Sequence, residues 1–245
     1  MKPEFKDIAY RLTREVNHFE DLKLDWSEDI EILKFDDLWK CEITDEEAFN
    51  HPNPIIFTGY WKVVKHIDFP CNASSWSVMS KKMYETLLSV GNFPHRLVPM
   101  VVIDWQVQPW DWFEESTITR ENAYQVEQSE WYKMGKNLRK EVIHEDFVLV
   151  QLTEHIDILD YEKSIVEYDE DEPSKIRDIE KYVFNVPPEG LPPIFIVKGD
   201  DFYPFVSTEA RSALKKAGIC GTRYIPLDGN QNKEIDIDVP IILPD

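Results

Sequence analysis

The pattern of apolar and polar positions is clearest between Phe205 and Pro226, which reads FVSTEARSALKKAGICGTRYIP. Ala210, Ala213, Leu214 and Ala217 fall at i, i+3, i+4 and i+7. That spacing predicts a short helix with one apolar face. Ser207 can cap its first turn, Glu209 suits the positive end of the helix dipole, and Lys215 and Lys216 suit the negative end. Gly218 predicts a left-handed exit. Phe205–Val206 before the helix and Thr222–Ile225 after it predict strands, so the unit is strand, helix, strand.

The same skeleton occurs at Val78 to Pro99. Ser80, Leu87, Gly91 and Pro99 stand where the later copy has Ser207, Leu214, Gly218 and Pro226, and both copies read S-x6-L-x3-G-x7-P. Self-similarity at fixed spacing predicts an internal structural repeat. The copies share no catalytic group, which points to a scaffold. Lys81 and Lys82 oppose the dipole of the earlier helix. Solvated side chains are the simpler reading of them, and an anion site is the sharper one.

Elsewhere Phe5, Ile8, Ala9, Leu12 and Val16 keep helical spacing and predict a short helix over residues 1–19. Ile30, Ile32 and Leu33 predict a strand. Ile55 to Ile67 reads as one or two strands around Gly59. Leu97 to Val107 reads as one strand with Pro99 at its start, where proline is tolerated. Thr119 to Lys140 is polar and helix-like, with a stop near Gly135. Phe147 to Thr153 predicts a buried strand, and Glu154 to Ser164 a turn or short helix. Ile165–Tyr168, Ile176–Asn185 and Ile194–Val197 predict further strands. Asp45–Glu47 is an acidic exposed stretch, His51–Pro54 a turn, and Glu234–Pro244 alternates like an edge strand. Strands outnumber helices without a strict βαβ rhythm. The expected class is α+β, with a mixed or antiparallel sheet and a few short helices. A chain of 245 residues fits a single globule. Two halves, 1–115 and 146–245 joined by 116–145, are the alternative.

Charge changes this picture most. With 47 acidic and 27 basic residues the net charge is −20. Nucleic acid is disfavoured as a partner, because binding it needs a basic footprint. A basic protein partner is favoured electrostatically. Aromatic residues reach 13% and include eight Trp, a residue type enriched at interface centres. The N-terminal stretch has no apolar signal-peptide core, and no run of 18 apolar residues occurs, so a cytoplasmic protein without a membrane span is expected.

Candidate chemistry is sparse. Cys41, Cys71 and Cys220 lack metal-ligand spacing, and no metal or cofactor is expected. Cys220 follows a helix C-terminus, which disfavours a thiolate. No H-E-x-x-H, G-x-S-x-G, P-loop or G-x-G-x-x-G motif occurs. Glu154, Asp157, Asp160 and Glu162 around His155 could serve acid–base work in a small-molecule hydrolase or transferase. Chance clustering among 47 acids accounts for them equally well.

The segment Trp105 to Glu115, WQVQPWDWFEE, sets three Trp and one Phe among acids around Pro109. It reads either as a partner-binding loop or as rings folded back over a sheet. In the first reading Trp110, Trp112 and Phe113 are anchors, and Asp111, Glu114 and Glu115 are an acidic rim. Asp169, Glu170, Asp171 and Glu172, in the run DEDEP, extend that rim on a solvated loop.

Three stretches also carry a family resemblance. They are Ser77 to Asp104, with LLSVGNFPHRLVPMVVID; Val148 to Tyr168, with ILDYEKS; and Ile179 to Leu227, with KYVFN, PPIFIVKG and FVSTEARSALKKAGICGTRYIPL. Together they resemble the bacterial polymorphic-toxin immunity family of the Myxococcus type, immunity protein eleven in words, first catalogued as a domain of unknown function. The similarity runs from Ser74 to Leu227 and is clearest from Val148 onward. It implies a non-enzymatic cytosolic antitoxin that binds the C-terminal domain of a toxin delivered by contact-dependent or type VI systems. It carries over no active site. A basic toxin domain, with nucleases as one such class, would suit the charge. Monomer and homodimer both stay open, and an oligomer joined through residues 234–243 is a third reading.

Overall fold

A computed structural model describes residues 8–14, 30–33, 54–72, 77–172 and 174–228. In chain order the elements are β1 (Ala9–Arg14), β2 (Ile30–Ile32), β3 (Ile55–Gly59), α1 (Trp61–Val64), β4 (Ser77–Ser80), α2 (Lys81–Val90), β5 (His95–Val98) and β6 (Met100–Asp104). There follow β7 (Phe113–Ser116), α3 (Gln128–Met134), β8 (Gly135–Leu138), β9 (Ile143–His144), β10 (Phe147–Leu152), β11 (His155–Ile156), β12 (Ile165–Tyr168) and β13 (Ile176–Lys181). The last are β14 (Ile194–Val197), β15 (Asp200–Ser207), α4 (Thr208–Lys216) and β16 (Thr222–Pro226). The fold is α+β, with mixed and antiparallel sheets and a few short helices. No helix among the described residues is long and apolar enough to cross a membrane.

The chain forms two compact units that interleave along the sequence. The first draws on Met1–Glu15, Lys82–His95 and Leu152–Pro240. Its five-stranded sheet has the order β11-β14-β15-β1-β16. β1 is antiparallel to both β15 and β16, with Arg11 opposite Phe205 on one side and Ile225 on the other. The core gathers Ala9, Phe184, Phe195, Val197 and Phe205. Here the expected helix over residues 1–19 gives way, at Ala9–Arg14, to a strand; residues 1–7 and 15–19 lie outside the described residues. Ala9, Tyr10, Arg11 and Leu12 are all buried, because β1 is a central strand with neighbours on both edges.

α4 forms as its sequence dictates. The Ser207 hydroxyl accepts from the Ala210 N–H (3.2 Å), and Leu214 is fully buried. Gly218 exits with φ +64°, a left-handed conformation that costs glycine little. Lys82, in the first turn of α2, donates from Nζ to the Gly218 carbonyl (2.9 Å). A cation unfavourable to its own helix dipole therefore serves the negative end of another helix.

The second unit draws on Val16–Lys81, Arg96–Gln151 and Ile241–Asp245. It contains a four-stranded sheet of order β2-β3-β6-β9, with β3 and β6 parallel, and a three-stranded sheet of order β4-β10-β5. The segment read as a second strand after Gly59 is α1 instead. The segment read as one strand from Leu97 is two strands, β5 and β6, in different sheets, with Pro99 between them. Proline cannot donate to a ladder, so it marks the point where the chain changes sheets. Ile30, Ile55, Phe57, Val102 and Leu149 form the core between these strands. A second cluster, with Leu33, Ile56, Ile103, Trp112 and Trp131, lies under α3. The Ile56 N–H donates to the α3 residue Tyr132 through its hydroxyl (3.0 Å), and burial raises that phenol's pKa.

The sequence repeat has a topological counterpart. β15–α4–β16 and β4–α2–β5 are both strand–helix–strand units whose two strands are separated by a third strand, β1 or β10. Leu87 and Leu214 are both fully buried. The serines differ in use, since the Ser80 hydroxyl donates to Asp68 Oδ1 (2.5 Å). Asp45–Glu47, His51–Asn53, Cys41 and the tail strand at 234–244 lie outside the described residues.

Two substitutions test this packing. Leu12→Ala in β1 is expected to lower the unfolding free energy by about 2–5 kcal/mol in urea titration, as for a buried leucine. Gly135→Ala is expected to cost about 1–3 kcal/mol by overpacking, since a Cβ there would lie 2.3 Å from the Phe113 ring. A loss under about 0.5 kcal/mol, the range of surface substitutions, would contradict the packing at either site.

Candidate interaction surface

Two acidic regions hold the residues singled out by sequence, one in each unit. In the second unit β6 ends at Asp104 and leads into a 3-10 turn, Pro109–Asp111. Trp112 follows, and its ring turns inward. It is 3% exposed, its Nε1–H donates to the Val107 carbonyl (2.9 Å), and it meets Trp131 edge-on at 5.3 Å. Phe113 on β7 is 5% exposed and packs in the same cluster. Neither ring can anchor a partner, because both are spent covering the sheet. Trp110 differs. It is half-buried and meets Tyr124 edge-on at 6.4 Å. Tyr124 is 78% exposed and donates to Gln108 Oε1 (3.3 Å).

Asp111, Glu114 and Glu115 are exposed. Residues 97–119 contain four acids and no Lys or Arg, so the local field is negative. Glu115 stands opposite Lys136 across the β7–β8 pair, which offsets part of it. The surface aromatic therefore consists of Trp110 and Tyr124. Tyr124 stands in the sequence with Trp131 and Tyr132 as one aromatic of the polar segment Thr119 to Lys140, and nothing there marks it as the outward-facing one.

In the first unit β12 and β13 form an antiparallel two-stranded sheet. Val166, Ile176 and Ile179 turn inward to the core. Ile165 (51% exposed) and Tyr168 (46%) turn outward, and Tyr161 is also exposed. Asp169 to Glu172 form the connection between the strands. Asp169 Oδ1 accepts from the N–H groups of Asp171 (2.9 Å) and Glu172 (3.0 Å), a side-chain-closed turn. Glu170, Asp171 and Glu172 are exposed. From Asp160 to Lys181 there are nine carboxylates against four bases. One of those bases, Arg177, pairs with Glu167 across the strands.

The acids around His155 do not converge. Asp157 pairs with Lys198 (3.2 Å) and Asp160 with Lys163 (2.5 Å), while Glu154 and Glu162 are exposed. The hydrogen bond from Lys163 lowers the Asp160 pKa, which favours a permanent carboxylate over a proton donor. Among the described residues no group of three or more His, Cys, Asp or Glu could hold a metal. One buried polar pair of this unit is structural in character. Tyr182 donates to Asp200 Oδ2 (2.5 Å), and burial followed by the Asp200 charge raises the phenol's pKa.

The Asp169 turn has a pH signature. Hydrogen bonds from the backbone of Glu172, then of Asp171, lower the Asp169 pKa below the ordinary carboxylate value. The turn's contribution is therefore complete above about pH 4, the unfolded carboxylate range. It is lost as pH falls through the lowered folded value. In an NMR titration the amides of Asp171 and Glu172 are expected to move with the Asp169 carboxyl, and Asp169→Ala to abolish that coupled shift. Amides that titrate unchanged in the variant would rule the turn out.

No protein-family model matches the chain, and no curated protein matches it.

Proposed function

We propose that this chain is a non-enzymatic immunity protein that binds and neutralises the C-terminal domain of a basic toxin. The observation that carries the reading is the β12–β13 hairpin. It is fixed from behind by Val166, Ile176 and Ile179, and it presents Ile165 and Tyr168 among a majority of carboxylates. An apolar centre with a charged rim is the anatomy of a specific interface. Anchoring to a core reduces the ordering cost of binding. The net charge of −20 supports the same reading, since it speeds encounter with a basic surface. The family resemblance supplies the toxin as the kind of partner. Inhibition would follow from covering the toxin's active site, with Tyr168 and Ile165 central and Glu170, Asp171 and Glu172 at the rim. Trp110 with Tyr124, beside Asp111, is a second contact candidate on its own unit.

The test is calorimetry against the toxin domain encoded beside this chain, at 50 and 300 mM salt. Binding is expected to be tight at low salt and to weaken at high salt, because steering charges are screened. Ile165→Ala with Tyr168→Ala is expected to weaken it about 10- to 100-fold, the scale of aromatic anchor losses. No binding at micromolar concentration would overturn the inhibitor reading for that pair. Unchanged affinity in the double variant would remove the hairpin from the interface.

A further inference from the structure

The parallel strands β3 and β6 end side by side, with Gly59 opposite Asp104. Aromatic residues follow directly on both chains. Tyr60 and Trp61 follow β3, and Trp105 follows β6, its N–H donating to the Gly59 carbonyl (3.1 Å). The Tyr60 and Trp105 rings lie 5.6 Å apart and are inclined by 42°, neither stacked flat nor edge-on. Trp61 stacks flat on His144 at 3.6 Å, with only 6° between the planes, and β9 holds that histidine against β6 opposite Val102. Tyr60, Trp61, Trp105, His144 and Asp104 are all half-buried, while Glu145 and Asp146 beside them are exposed.

This composition has a specific chemistry. Aromatic faces attract a cation through the ring quadrupole, and tryptophan does so best. Carboxylates at the margin add charge attraction. None of these five half-buried residues is Lys or Arg, and the neighbouring Lys62 is exposed to solvent. Burial lowers the His144 pKa, although Asp146 and Asp104 work against that shift, so at neutral pH the ring adds a π face without a repelling charge. Trp61 also meets Phe147 nearly perpendicular at 6.2 Å, which ties the Trp61–His144 pair to the core.

We infer that Tyr60, Trp61, Trp105 and His144, with Asp104, form a recognition site for a guanidinium group on the partner, an arginine side chain. Arginine fits better than lysine because its planar group stacks on a ring while its edge donates to a carboxylate. The inference deepens the reading of a basic partner and rests on it only for the identity of the protein that brings the arginine.

The probe is N-acetyl-arginine methylamide, titrated into the full chain and followed by the indole and imidazole NMR resonances. The citrulline analogue is the neutral control. Saturable shifts confined to Trp61, Trp105 and His144 are expected, with little response to citrulline. Asp104→Asn should weaken arginine binding about 3-fold or more, in keeping with loss of a charge beside a cation–π contact. That variant keeps an oxygen to accept the Gln106 N–H, which bonds Asp104 Oδ1 at 3.1 Å, so the loop is preserved. Equal shifts with citrulline, shifts that never saturate, or an Asp104→Asn protein that binds as tightly would overturn the site. Arginine binding without toxin binding would sink the inhibitor reading and leave this site standing. Toxin binding without arginine binding would do the reverse.

Discussion

The first unit depends on six residues placed between two strands that do not pair with each other. β15 and β16 both run antiparallel to β1, so they run parallel to one another, and α4 carries the chain between them. Without β1 each would present a bare row of backbone N–H and C=O groups. Buried backbone groups must find partners, and β1 supplies them on both sides at once. Its side chains are then enclosed too. Arg11 lies over the Tyr203 ring at 4.7 Å, and Arg211 of α4 lies over the rings of Tyr10 (4.3 Å) and Tyr224 (5.5 Å). In the three-stranded sheet β10 likewise lies between β4 and β5, the two strands that α2 connects.

This frame separates two uses of aromatic residues that composition alone cannot distinguish. Trp112, Phe113 and Trp131 close the cluster under α3. Trp112 satisfies its indole N–H on a nearby carbonyl, as a buried tryptophan must. Trp110 and Tyr124, two or more residues away in sequence, keep surface. The hairpin shows the same division on a smaller scale, because a β-strand sends successive side chains to opposite faces. Val166 and Ile179 face the core, which leaves Ile165 outside; Tyr168 is exposed past the register shift between Glu167 and Tyr168, where the regular alternation is interrupted.

What was legible in the sequence was local. The cap, dipole partners and exit glycine of α4 stand in one short stretch, and the structure places each as expected. The spacing shared by Ser80 and Ser207 pointed to two equivalent units because a strand–helix–strand connection is also local. The misread elements are those settled by distant neighbours. Ala9 and Leu12 fit a helical period equally well, and only their pairing with residues near 205 and 225 makes them strand. Pro99 was read as a strand start, but its effect was to send β5 and β6 into different sheets. Trp112 could be told from Trp110 only through Val107 and Trp131, and Tyr124 had no local mark at all.

The position of β1 between β15 and β16 also bears on how the molecule is made. Its partners lie about two hundred residues further along the chain. Contacts of such long sequence separation form slowly, because the intervening loop must close before they stabilise anything. On the ribosome the strand is synthesised long before either neighbour, and its apolar residues wait uncovered. The second unit draws almost all its described strands from earlier in the chain, so it can assemble while the first is still incomplete. β1 itself carries Arg11 and Arg14 and no carboxylate, so the net charge of −20 acts through the rest of the chain, where like charges keep nascent copies apart. The charge that suits a basic partner would then protect the nascent chain first.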